Sequence, residues 1–232
     1  MTTKVKSTLF FMITLLIIIS SSKEISSLVN NKDIFIKNGS RDEKIIALTF
    51  DDGPHPKETN EILDVLDKYN VKATFFVVGK HANWYSESLK RASKEGHEIG
   101  NHTFSHPDIS CLSSEDIKRE IKECEDTLVK LTGKKPTLFR PPYGSYSKDR
   151  LGKIAEESGY KIILWTTIDA KDWKNPPSSQ ISDTIINKAQ NGDIILLHDY
   201  GTENTVKALD TIISEMIKKG YKFVTVSELI SK

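Results

Sequence analysis

From about residue 43 onward, short apolar runs alternate with stretches in which apolar residues recur every three or four positions. The runs at 44–50, 73–78, 98–100, 137–139, 161–166, 193–197 and 222–225 predict strands. Helical spacing appears between them, at Ile62, Val65, Leu66 and Tyr69, over 84–95, and at Ile117, Ile121, Leu128 and Leu131 in a helix spanning 114–131. It continues at Leu151, Ile154 and Ala155 up to a stop at Gly159, at Ile181, Ile185 and Ile186, and over 206–219. The strands are apolar throughout rather than alternating, as expected of parallel strands covered by helices. About seven strand–helix units predict an α/β fold, a (β/α) barrel in preference to an open doubly wound sheet. No Gly-x-Gly-x-x-Gly follows a strand, which disfavours the dinucleotide-binding version of the open sheet.

In such barrels the active residues sit at the C-terminal ends of the strands. Every ionisable cluster of this sequence falls there: Asp51-Asp52, the segment from Asn101 to Pro107, Arg140-Pro141-Pro142-Tyr143, Asp169 to Trp173, and His198-Asp199. Asp51 and Asp52 close an apolar run that Gly53-Pro54 stops. Neighbours on a strand face opposite sides, so two carboxylates reach one cleft only where the strand frays. His102 and His106 are four residues apart, and with one carboxylate they form a set that holds zinc while leaving a position open for water. Zn²⁺ suits these donors best, with Co²⁺ or Ni²⁺ as alternatives. Taken singly, the same residues also fit a solvated turn and two surface histidines. His55, His81 and His97 are given structural roles.

Charge narrows the partner class. Thirty-three Lys and Arg against thirty-two Asp and Glu leave a formal +1, no basis for nucleic-acid binding, and a monomer acting on a neutral ligand is expected. The first residues differ from the rest: Lys4 and Lys6 precede an apolar run at 9–19, and Ser20-Ser21-Ser22 follows. Residues 1–22 therefore read as a secretory signal, or, uncleaved, as a membrane anchor, with 23–42 a polar tether and 43–232 the catalytic domain. The product is expected outside the cytoplasm. Cys111 and Cys124 are separated by a loop and about ten residues of helix, too far for a bridge unless the loop folds back.

Thr-Phe-Asp-Asp-Gly at 49–53, His-Thr-x-x-His at 102–106, Arg-Pro-Pro-Tyr at 140–143, Asp-x-x-Asp-Trp at 169–173 and Leu-Leu-His at 196–198 occur in this order. The set resembles the five motifs of the polysaccharide deacetylases, the family-four carbohydrate esterases with a nodulation-type deacetylase domain, over about residues 43–230. The resemblance implies a distorted (β/α) barrel that removes acetyl groups from N- or O-acetylated sugars with metal-activated water. It implies Asp52, His102 and His106 as metal ligands, Asp51 as general base oriented by Arg140, and His198 as general acid paired with Asp172. The backbone N–H of Tyr143 would stabilise the oxyanion, and Tyr143, Trp173 and Leu196 would receive the sugar and its acetyl group. Asp169 is a second possible partner for His198. The expected substrate is an N-acetylated cell-wall or chitin-like polysaccharide, peptidoglycan first. O-acetylated xylan, a non-catalytic carbohydrate-binding role and small-amide hydrolysis are the alternatives.

Overall fold

Strand β2 (Ile45–Asp51) carries the plan of the molecule in its alternation. Ile46, Leu48 and Phe50 face outward into the main core, while Ile45 and Ala47 face inward into a second, smaller one. Further along the inner face stand Thr49 and Asp51, so one side of a single strand runs from apolar to polar. Each fully buried Phe or Leu of the outer core stabilises the fold by about 1.5–3 kcal/mol.

The computed structural model describes residues 34–166 and 168–231, so the expected signal and residues 23–33 of the tether lie outside the described residues. Around β2 are β1 (Phe35–Ile36), β3 (Thr74–Val77), β4 (Glu98–Asn101), β5 (Leu138–Phe139), β6 (Lys161–Ile163) and β7 (Ile194–His198). They pair in parallel in the order β1-β6-β5-β4-β3-β2-β7, and β8 (Lys222–Phe223) pairs with the start of β2. No strand ladder joins β6 to β7 among the described residues. The irregular segment after β6 spans the gap, with Thr166 N–H donating to the Ile194 carbonyl at 3.1 Å and Asp169 bridging to Leu196. The distortion of the barrel lies there.

Helices α1 (Glu58–Lys68), α2 (Gly79–Trp84), α3 (Ser86–Lys94), α4 (Ser114–Thr132), α5 (Lys148–Ser158), α6 (Ser178–Lys188) and α7 (Glu203–Lys218) cover the outside. Helix α8 (Val226–Ile230), held by a capping box between Thr225 and Glu228, packs Val226 and Leu229 into the inner core. With the N-terminal end of the barrel filled by apolar side chains, the open end is the one carrying the charged clusters.

Several expectations are corrected. The tether does not extend to residue 42: Phe35 and Ile36 pair with Ile162 and Ile163, and Ile34 is buried. The helix expected over 84–95 is α3, and a further helix not expected, α2, precedes it up to a break at Tyr85 (φ −128°, ψ 46°). Gly79 and Lys80 donate their N–H groups to the carbonyls of Thr103 and Phe104, which fixes α2 to the histidine loop. The strand expected over 161–166 stops at Ile163, where the chain turns so that its carbonyls face Arg140. Both cysteines are free, Cys111 exposed and Cys124 buried.

Candidate active site

Arg140 is the centre of the site. It follows β5 on the inner face, two residues beyond the inner-core Leu138, and is fully buried. Its guanidinium donates to Asp51 Oδ1 at 2.7 Å, to Thr49 Oγ1 at 2.8 Å, and to the carbonyls of Ile163 and Leu164 at 3.3 and 3.2 Å. Its face lies over the Phe76 ring, 4.0 Å from the centroid. Burial pulls the guanidinium pKa down, and the charge and hydrogen bond of Asp51 oppose this. A buried cation held by this many acceptors fixes the Asp51 carboxylate in one orientation.

Asp52 turns the other way from Asp51, with φ at 75°. Its Oδ1 lies 3.1 Å from His106 Nε2 and 3.5 Å from His102 Nε2. His102 Nδ1–H donates to the Arg140 carbonyl at 2.7 Å, which leaves Nε2 as the nitrogen facing Asp52. Burial alone would raise the Asp52 carboxyl pKa, but hydrogen bonds from His102 and His106, and then their charges, hold it well below the usual carboxylate range. The three ligand atoms lie within 4.8 Å of one another. Bonds of about 2.1 Å at a tetrahedral ion place neighbouring ligands about 3.4 Å apart, so the set fits a divalent metal. Asp52, Thr103, His106 and Tyr143 all have positive φ, four of the seven such non-glycine residues described, and all four lie in these loops.

Across the cavity, His198 Nδ1 lies 2.8 Å from Asp172 Oδ1, and its backbone N–H donates to Asp172 Oδ2 at 2.8 Å. Thr205 adds a 2.7 Å hydrogen bond to the same oxygen. Burial would lower the His198 pKa, but the hydrogen bond and charge of Asp172, and beyond them Asp51 and Asp52, raise it to about 9. Asp169 instead accepts from the Lys171 N–H, so the partner of His198 is Asp172. A cavity of about 390 Å³ is bounded by Asp51, Asp52, His102 and His106 on one side and by His198, Leu196, Trp173 and Tyr143 on the other. All ten residues expected from the sequence therefore meet at one place, Arg140 from beneath through Asp51 and Asp172 from behind through His198.

A family model described as polysaccharide deacetylase matches residues 38–163. The chain belongs to the polysaccharide deacetylase family. It is 46% identical over 191 residues to a peptidoglycan-N-acetylglucosamine deacetylase of Bacillus cereus, covering 81% of this chain and 89% of that one. It is 43% identical over 188 residues to the peptidoglycan-N-acetylmuramic acid deacetylase PdaC of Bacillus subtilis, covering 81% of this chain and 39% of the relative. Among solved structures, the Bc1960 peptidoglycan N-acetylglucosamine deacetylase superposes with a TM-score of 0.83 at 37% identity, over 87% of this chain and 94% of the other.

In this family member the deacetylase site also uses residues that motif reasoning passed over. Buried Asp199 accepts the Gly53 N–H at 2.9 Å and the Thr59 hydroxyl at 2.6 Å, fixing the turn after Asp52. The contact is so close that a Cβ on Gly53 would lie 2.1 Å from Asp199 Oδ2. Glu120 on α4 receives the backbone N–H groups of Phe104 and Ser105 at 3.0 and 2.8 Å, which shapes the loop between the two histidines. His81, read as structural, holds the Asp52 carbonyl at 2.6 Å. Asp199 carried a signal, since it directly follows His198. Glu120 carried none, as nothing in a helix-surface glutamate reports a loop packed against it.

Proposed function

We propose that this protein removes acetyl groups from N-acetylated amino sugars of peptidoglycan, using a divalent metal held by Asp52, His102 and His106. The observation that carries this reading is the opposition, across one cavity, of a carboxylate fixed by a buried Arg and a His fixed by a buried Asp. Bound by one carboxylate oxygen and two imidazole Nε2 atoms, Zn²⁺ (or Co²⁺ or Ni²⁺) would polarise the acetyl carbonyl and lower the pKa of a water molecule from about 15.7 toward about 7.

Asp51 Oδ2 lies 3.8 Å from His102 Nε2, beside the metal ligands, and accepts the proton of the attacking water there. Asp51 Oδ1 stays on Arg140, which prevents the carboxylate from turning away. His198 gives the proton at Nε2 to the departing sugar nitrogen, because Nδ1 is committed to Asp172. The backbone N–H of Tyr143, a residue bordering this cavity, would receive the oxyanion. Leu196 and Trp173 receive the acetyl methyl and the sugar ring.

Peptidoglycan is preferred among polysaccharides because the relatives reported above are named for it. The lysines before the apolar run at 9–19 support export to the wall where that polymer lies. Acetate release from peptidoglycan, chitin oligomers and acetylated xylan, with chelator and after addition of Zn²⁺ or Co²⁺, tests the reading. Metal-dependent release that is fastest on peptidoglycan is the expected result, and release from xylan alone would sink it.

A further inference from the structure

Two cavities continue from the catalytic one and carry basic side chains. Tyr143 and Trp165 also border a neighbouring cavity of about 750 Å³ that carries Lys37, Arg41 and Lys188. Tyr146 and Leu164 are shared in turn with a third, of about 890 Å³, where Lys148 and Lys161 join Lys37. The three adjoin in one groove that runs from the catalytic cavity past Leu164 toward Lys161 and Leu229. Its floor is tight where it leaves the active site: Gly144 has φ 62°, and a Cβ there would lie 2.7 Å from the Trp165 indole.

The carboxylate in the two basic cavities is that of Asp193, which is buried and already paired with Arg41. Lys37, Lys148, Lys161 and Lys188 are exposed, and among the described residues none of the four is in an ion pair. With a net charge of only +1, the excess in the groove is local. Unpaired ammonium groups along a groove with aromatic walls concentrate anions, and because the groove opens onto the catalytic cavity, its occupant belongs to the molecule being deacetylated.

A chain of N-acetylglucosamine alone is neutral. In peptidoglycan, the carboxylates lie on the peptide substituents of the glycan. We propose that the groove beyond Tyr143 and Trp165 binds this carboxylate-bearing peptide, with Lys37 and Lys188 as the recognising groups, while the acetamide occupies the catalytic cavity. The basic groove then orients the substrate by drawing the peptide carboxylates to one side of the catalytic cavity. The proposal rests on the peptidoglycan reading and makes the enzyme selective for peptide-bearing over bare glycan.

The test uses solubilised peptidoglycan oligomers with peptide carboxylates either free or chemically amidated. Wild-type kcat/KM is expected to be about 3- to 10-fold higher on the free form, as two exposed ion pairs warrant, with the difference in KM and diminished by salt. In the Lys37→Gln, Lys188→Gln double variant that ratio is expected to fall to near one. A wild-type ratio near one overturns the groove proposal and leaves the peptidoglycan reading standing, as does a wild-type ratio retained by the double variant. Absence of acetate release from either form, with release from acetylated xylan, overturns both.

Discussion

Arg140 Nη1 donates to Asp51 Oδ1 across 2.7 Å, with the arginine fully buried and the aspartate 4% exposed. The pair joins β5 to β2 through the barrel interior, so one contact serves the fold and the site. Removing either charge leaves the other uncompensated away from water, which typically costs roughly 3–5 kcal/mol. Arg140→Met is therefore expected to lower the unfolding free energy in urea by about that amount and to abolish turnover. Arg140→Lys should be little better, since a point charge cannot serve Thr49, Asp51 and two carbonyls together. A loss below about 1 kcal/mol would show that the pair does not hold the barrel.

The adjacent carboxylates are expected to fail differently. Asp51→Asn should keep the metal and lose about 10²- to 10⁴-fold in kcat, because an amide cannot take the water proton. Asp52→Asn should weaken metal binding itself, as should His102→Ala. Metal titration alongside turnover distinguishes them, and metal lost with Asp51→Asn but kept with Asp52→Asn would exchange the two assignments.

The pH–rate profile should report His198. Its pKa is raised to about 9, so the protonated acid persists through neutral pH and activity falls as pH rises through about 9. Asp172→Asn removes the hydrogen bond and charge that oppose burial, so the alkaline limb should move to lower pH. His198→Ala should depress turnover of N-acetyl sugars far more than of activated acetate esters, whose leaving groups need no proton. Equal losses on both substrates, with an unmoved limb in Asp172→Asn, would remove the acid role.

Asp199 should show in stability rather than in turnover chemistry. Burial raises its pKa to about 7, against hydrogen bonds from Thr59 and Gly53 that lower it and with the charges of Asp52 and Asp51 raising it further. A folded pKa above the unfolded value contributes stability that is complete below about 4 and lost as pH rises through about 7. Asp199→Asn should flatten the unfolding free energy across that window. Asp199→Ala should cost about 1–3 kcal/mol by leaving the Gly53 N–H and the Thr59 hydroxyl without their acceptor. Denaturant curves at pH 5 and pH 8 check both.

The sequence by itself determined the parallel α/β class and which polar residues gather at one end of the strands. Strands buried on both faces must be apolar throughout, and a barrel with one end filled leaves only the C-terminal ends of its strands for charge. Asp51, His102, Arg140, Asp172 and His198 are thus legible as residues that interrupt an apolar pattern at one position of each repeat. The tertiary structure decided which partner each of them takes. The sequence allowed Asp169 or Asp172 for His198, and only the path of the chain after β6 put Asp172 in contact. Phe35–Ile36 and α8 escaped the periodic pattern because each is too short to show a period, and their burial comes from β6 and the inner core. Glu120, His81 and the lysines of the groove belong to segments far apart in sequence. Their roles arise from proximity in the folded chain, which no local pattern encodes.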